Sequence, residues 1–257
     1  PLSSGEAVAI AEPLAFLPEH RMLLQRGIAH ERTLKALLPA AFGEPGRAEV
    51  TAAETGLRQT GAGLAALHGC GTAHGGAFSL DSRIEQVRGL ADRFVRLWPQ
   101  VRAAAEPVIR LVAARAAACP AGALVPSHGS FRPGQVLLTG QGIAFIDFDD
   151  FCRAERELDV ARFSVTVKTV GLRALSSDES ERVRTDRLSE VDQRCRIFTD
   201  AYADGGELDR GRLALWEALD LLTNVLNAWA KAKLDRLDAT LALLSAHLER
   251  SGMTGSR

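Results

Sequence analysis

Residues Ser127–Leu138 read SHGSFRPGQVLL, and residues Ile143–Phe151 read IAFIDFDDF. Within them QVLL and IAFID are short β-prone runs, and TGQG between them is a turn signal, so the two stretches predict a small β-hairpin. The segments flanking a hairpin leave it from the same end. One segment here carries His128, Ser130 and Gln135; the other carries Asp147, Asp149 and Asp150. Asp147 follows the apolar AFI, where a strand ends and a carboxylate can enter a cleft. Three carboxylates within four residues repel one another unless a cation or an arginine sits among them. The acidic run is either a solvated turn or a cation site, and its place 17 residues after Ser130, across a hairpin, favours the second.

On the N-terminal side, residues 8–28 (VAIAEPLAFLPEHRMLLQRGI) read as two short strands joined by a turn at Pro18-Glu19-His20, with RMLLQ as a buried strand. Thr33 is a helix N-cap, and TLKALLPAAF begins a helical pattern that Pro39 interrupts. AEVTAAETGLRQTGAGLAALHGCG predicts a long helix with Leu57, Leu64 and Leu67 on one face and Gly69 and Gly71 ending it. Gly61 and Gly63 inside this helix each weaken it by about 1 kcal/mol relative to alanine. Close packing against another helix explains them better than a phosphate loop. Residues 80–118 predict two helices broken near Pro107. After the hairpin, helices are predicted over 158–174, about 180–203, 209–230 and 234–250, with a polar segment at 175–182. Trp216 and Trp229 are core candidates. The fold class is α+β, helix-dominated, with one hairpin embedded in a helical body.

The composition bounds the function. A chain of 257 residues, 46% hydrophobic, can bury one good core or two small ones. A formal net charge of −1 supplies no bulk attraction to nucleic acid or anionic lipid, so neither is expected as a partner. No apolar run reaches the ~18 residues of a membrane span, and no signal peptide is visible. Cys70, Cys119, Cys152 and Cys195 form no C-x-x-C pair and have no histidine at zinc-ligand spacing, which predicts reduced thiols in a cytoplasmic protein. Ser130 is followed by Phe131 and Arg132 rather than by a G-x-S-x-G elbow, and His128 is too near in sequence to turn back as its base. A serine hydrolase is therefore not expected. A Walker A lysine motif is also absent.

HGSFRPGQVLL, GIAFIDFDDF and ELDVARF, in that order, resemble the aminoglycoside phosphotransferase and choline kinase-like family, whose members carry H-G-D-x-x-x-x-N and then I-D-[FW]. GLAALH resembles that family's helix ending in a Leu-His pair, and residues 212–250 resemble its terminal helices. The resemblance covers nearly the whole chain from residue 8. It implies a protein-kinase-like large lobe with a small catalytic hairpin and a remnant of the N-terminal β lobe. Residues 1–32 would be the end of the small lobe and the hinge, and residues 33–257 the helical C-terminal lobe, with the catalytic-type hairpin at 126–151. It further implies ATP and Mg2+ as cofactors. Asp147 would bind magnesium with Gln135, His128 would brace the loop, and Asp159 would be a structural carboxylate. Gln25, Gly27 and Ile28 would offer backbone hydrogen bonds to adenine. A small-molecule acceptor would bind among the later helices, where the acidic loop with Asp200, Asp204, Glu217 and Asp220 would suit a cationic one, although solvated helix faces explain these charges as well.

Three departures from the family pattern set the expectations for activity. Ser130 stands in place of the catalytic aspartate, and a hydroxyl cannot accept a proton near neutral pH; losing a positioned base costs on the order of 10²–10⁴ in rate. Asp149 or Asp150 would then have to substitute as base. Gln135 stands in place of the metal-binding asparagine, one methylene longer. No glycine-rich loop and no strand lysine occur before the hinge, and the start at VAIAEPLAFL suggests a piece of a longer protein. ATP-dependent O-phosphorylation of a small hydroxylated acceptor, weak or lost, is one expectation. A pseudokinase-like protein that binds nucleotide or small molecule without transfer is the second, and a helical fragment with a vestigial site is the third. The acceptor and the oligomeric state are not legible.

Overall fold

The computed structural model describes residues 8–42, 46–173 and 181–253. The hairpin forms where the sequence places it: β7 (Val136–Thr139) pairs antiparallel with β8 (Gly142–Phe145), and Val136 lies opposite Phe145. Two further strands, which sequence reasoning missed, frame it. β6 (Leu124–Ser127) pairs antiparallel with β9 (Cys152–Glu155), and Ser127 lies opposite Cys152. The chain thus runs β6–loop–β7–turn–β8–loop–β9. Pairing of β7 with β8 and of β6 with β9 obliges the two loops, 128–135 and 146–151, to run side by side. Short strands widen each ladder. β1 (Ala9–Ile10) adds to β8 and β4 (Arg32–Thr33) to β7, while β5 (Ala77–Phe78) adds to β9.

Helices surround this unit. α1 (Leu34–Phe42) starts as expected at Thr33, whose hydroxyl accepts the N–H of Ala36 at 3.2 Å. Pro39 does not interrupt it. Its missing donor leaves unpaired only the carbonyl of Lys35, an exposed residue. α2 (Arg47–His68) packs on α6 (Glu181–Ala203), and Gly61 makes that possible: a Cβ there would collide with the Phe198 carbonyl. Gly63 instead lets α2 approach the hairpin, where a Cβ would meet Ile143 and Phe145 at 3.2–3.3 Å.

The next helical stretch breaks earlier than expected. α3 (Leu80–Asp92) and α4 (Pro99–Ala118) are separated at residues 93–98, and Pro107 lies inside α4. Proline at the first helical position forfeits no hydrogen bond, so Pro99 marks the start. Pro107 frees only the carbonyl of exposed Ala103. The remaining helices, α5 (Glu157–Arg173), α7 (Arg210–Ala230) and α8 (Leu234–Arg250), match the periodicity, as does α6; the polar segment at 175–182 lies mostly outside the described residues. α7 packs against α5 and α8, and its Trp216 is completely buried beside Phe78 of β5, with Nε1 donating to Glu155 of β9 at 2.9 Å.

One expectation fails outright. β2 (Pro13–Leu17) and β3 (Met22–Gln25) do form a hairpin around Pro18–His20, but RMLLQ is not buried. Among the described residues the two strands pair only with each other and no other layer covers them, and Phe16 and Leu23 stay 60% and 52% exposed. An isolated two-stranded hairpin is marginal in water. The fold is α+β and dominated by helices, as the sequence pattern predicts.

Candidate active site

The 128–135 loop is fixed from below by one carboxylate. Asp159, on the first turn of α5, accepts the backbone N–H groups of His128 at 2.7 Å and Gly129 at 2.9 Å. Its Oδ2 also lies 3.2 Å from His68 Nε2, and His68 Nδ1 lies 2.8 Å from the hydroxyl of Tyr202. Burial opposes ionisation of Asp159, but the His68 hydrogen bond, the charges of His68 and His128, and the His128 N–H together hold its carboxyl below the usual range. A fully buried anion thus ties α2, α5 and α6 to the loop. Gly129 has φ +83, and a Cβ there would run into the carbonyl of Asp150. Glycine is required on both counts.

His128 and Phe131 press the loop onto the core. His128 Nε2 donates to the carbonyl of Ile146 at 2.9 Å, and its ring stacks on Phe148 with centroids 4.5 Å apart. Phe131 is completely buried against Phe145 and Phe163. The first loop therefore grips the second directly, one residue before Asp147.

Ser130, Gln135 and Asp147 come together as the sequence spacing implies. Gln135 Nε2 donates to Asp147 Oδ2 at 2.9 Å and lies 3.4 Å from Ser130 Oγ. Gln135 Oε1 is buried without a partner. Asp147 is exposed and holds a left-handed backbone, φ +69, unusual for a residue with a side chain. Such local strain persists where surrounding structure imposes it, and it gathers at functional sites. Asp149 and Asp150 are exposed in the following turn. Among the described residues no group of three or more His, Cys, Asp or Glu side chains is placed to hold a metal ion. The oxygens on offer are those of Asp147 and, after a half-turn of its amide, Gln135. That pair fits a magnesium ion that completes its shell with phosphate oxygens and water.

Gln25, Gly27 and Ile28 lie apart from this cluster, at the end of β3 and just beyond it. Gln25 and Gly27 are exposed, and the Ile28 carbonyl is 3.0 Å from His30 Nδ1.

The four acidic residues expected to line an acceptor surface do not converge. Glu217 is buried against Lys168, whose Nζ donates to both carboxylate oxygens at 2.9 and 3.0 Å. Asp200 lies beside Arg210 at 3.4 Å, and Asp204 follows the end of α6. Only Asp220 faces the cavity next to the loop, and there it accepts from Arg83 Nη2 at 2.5 Å with Arg162 Nε 3.7 Å away. The acidic lining is absent because the helix faces bearing these residues turn to different neighbours. Sequence reasoning missed Arg83 and Arg162, and gave no site role to His68. Arg162 also donates to the Gly129 carbonyl, so the cavity wall and the loop share a hydrogen bond. Arg83 carries no local signal; Arg162 sits inside ELDVARF, and GLAALH ends at His68, but neither stretch marks these two side chains as part of the site.

No helix among the described residues is long and apolar enough to cross a membrane. A comparison with curated protein sequences finds no significant match. Solved structures resemble the chain at low identity. A glucosamine kinase in complex with glucosamine, ADP and inorganic phosphate is 20% identical with a TM-score of 0.64, over 89% of this chain and 64% of that one. A choline/ethanolamine kinase family protein from Mesorhizobium loti is 18% identical with a TM-score of 0.59, over 93% and 73%. A choline kinase from Streptococcus pneumoniae is 14% identical with a TM-score of 0.59, over 92% and 74%. The chain spans under two thirds of the length of that glucosamine kinase. These likenesses show the protein-kinase-like fold. A family model described as the phosphotransferase enzyme family matches residues 8–188, most of the sequence, and the chain belongs to that family.

Proposed function

We propose that this protein binds ATP with magnesium at Asp147 and a small hydroxylated acceptor beside the 128–135 loop, and that phosphoryl transfer between them is slow or lost. The observation that carries this reading is the cluster in which Gln135 reaches both Asp147, at 2.9 Å, and Ser130, at 3.4 Å. A magnesium ion would neutralise phosphate charge at Asp147, with Gln135 Oε1, now without a partner, as a second oxygen. His128 is a positioning residue: it holds the first loop against Ile146. Proton acceptance is what fails. The Ser130 hydroxyl is no base near neutral pH, and Asp149, exposed in the turn after Asp147, is the substitute carboxylate of this reading.

Under this reading residues 8–32 form the end of the small lobe and the hinge, where backbone groups of Gln25, Gly27 and Ile28 would meet adenine. Residues from 33 onward form the large lobe. In the reducing cytoplasm, where this reading places the protein, the thiols of Cys70, Cys119, Cys152 and Cys195 would stay reduced.

Calorimetric titration of ATP with and without magnesium, followed by ATP turnover with a panel of amino-sugars, sugars and choline-like alcohols, tests the proposal. Magnesium-dependent binding with little or no turnover is expected. Failure to bind MgATP would end it, and turnover at rates ordinary for kinases would overturn the claim of impairment. The neighbouring glucosamine kinase complex, which holds ADP, supports nucleotide use. A pseudokinase-like binding protein is the limit of the same reading at zero transfer.

A further inference from the structure

Beside the 128–135 loop lies a cavity of about 420 Å³, walled by α1, α3, α5, α7, α8 and the loop itself. Its lining is strongly cationic. Lys35, Arg83, Arg132, Arg162, Lys231 and Lys233 all contribute, and Arg236 adds a seventh positive side chain, against one carboxylate, Asp220. That carboxylate is already engaged by Arg83 and Arg162. Asp220 cannot neutralise the rest, in a protein whose net charge is only −1.

Arg83 makes the imbalance concrete. It is 9% exposed, and two of its nitrogens make three hydrogen bonds: Nη2 to Asp220 and Thr223, and Nη1 to Gln86 at 3.4 Å. Its Nε is buried without a partner. Burial, with the nearby charges of Arg162 and Arg132, pushes this guanidinium below its usual range even though Asp220 opposes the shift. Like charges crowded into a shared, partly dehydrated space are costly unless an anion joins them. The same wall presents the amides of Asn224 and Asn227, which can bond either donors or acceptors. Arg132 lies two residues beyond Ser130, so an occupant of the cavity abuts the loop where transfer would occur.

We propose that the acceptor of this protein is anionic: a hydroxylated small molecule bearing a phosphate or carboxylate group, its charge seated among Arg83, Arg162, Lys231 and Lys233 and its hydroxyl directed to the loop. This identifies the substrate class and rests on the function proposed above. It reverses the cationic acceptor expected from the acidic residues of the sequence. Arginine forks suit planar or tetrahedral oxyanions, and clustered cations raise the local concentration of a negative ligand.

The test is a titration of the protein, without nucleotide, against glucose, glucosamine, choline, glucose 6-phosphate, gluconate and inorganic phosphate. At least tenfold tighter binding of the anions than of glucose is expected, with affinity falling as salt rises. The double variant Lys231→Ala/Lys233→Ala, at positions with no role in the core, should weaken glucose 6-phosphate binding about tenfold or more. Comparison of glucose 6-phosphate with gluconate and inorganic phosphate separates phosphate recognition from carboxylate recognition within the class. Tighter binding of glucosamine or choline, or equal anion binding by the double variant, would overturn the inference. So would competition between glucose 6-phosphate and MgATP that disappears in Asp147→Asn, because the cavity would then be the nucleotide's own phosphate site. MgATP titration is read separately, so its failure counts against the proposed function and not against an anion site.

Discussion

Gln135 Nε2 and Asp147 Oδ2 are 2.9 Å apart, although twelve residues and a hairpin separate them in the chain. The pairing turns an amide donor toward the carboxylate that holds magnesium in the proposed function. Asp147 keeps its second oxygen for a cation, but Gln135 adds its own only by turning its amide over, which breaks this hydrogen bond. Asp147→Asn should weaken MgATP binding about tenfold or more, near 1.4 kcal/mol per factor of ten, while leaving metal-free ATP almost unaffected. Calorimetry with and without magnesium separates the two. An equal loss in both titrations would show that Asp147 does not act through a cation.

Ser130→Asp restores the group that the loop lacks. With Gln135 3.4 Å from the Ser130 hydroxyl, the carboxylate enters the same cluster. Turnover with a bound acceptor should rise by roughly 10²–10⁴, the usual contribution of a positioned base. In the parent protein, any residual turnover should disappear in Asp149→Asn and persist in Ser130→Ala. No gain from Ser130→Asp, with MgATP binding intact, would place the defect outside the missing base.

Gly129 carries a steric and a conformational demand at once. Gly129→Ala adds a Cβ where the Asp150 carbonyl sits, at a φ of +83. Strain of this kind costs about 1–3 kcal/mol, and the collision adds to it. A fall in Tm of at least about 4 °C is expected, with loss of MgATP binding as the two loops part. Thermal melts and calorimetry on the same sample check both. An unchanged Tm would mean that the close approach is not held in solution.

Asp159 should make stability depend on acid. Its carboxyl is held below the usual range, so the unfolded chain binds the proton more readily than the folded one. Stabilisation is then full above the unfolded-state value of about 3.9 and is lost as pH falls through the lower folded-state value. Asp159→Asn removes the charge and turns an amide donor toward the N–H groups of His128 and Gly129, at a cost of about 3 kcal/mol near neutrality. Urea unfolding across pH 2–7 should show this acid-dependent component in the parent protein and its loss in the variant. Equal pH slopes in the two proteins would assign the carboxylate no such part.

Local pattern was enough for a good deal of this protein. The β7–β8 hairpin, the span of α7 and α8, the Thr33 cap, and the order of His128, Ser130, Gln135 and Asp147 all followed from the sequence. Each depends on turn chemistry, side-chain period or spacing along a few residues. The same logic failed where the outcome depended on what packs alongside. RMLLQ has the texture of a buried strand and is exposed, because no layer of the described residues lies over it. Pro39 and Pro107 sit within helices because the carbonyls they leave unpaired belong to exposed residues.

The sequence by itself determined which chemical groups the two loops carry and that a hairpin holds those loops at one end. Only the tertiary structure decided what surrounds them. Asp159 meets His68 across 91 residues, and Arg83 meets Asp220 across 137. The acidic residues of α6 and α7 turn to separate neighbours, and cations from several elements line the cavity instead. Spacing along a chain cannot report such encounters, because the sign of the field in a cavity depends on which distant side chains the packed helices bring to its walls.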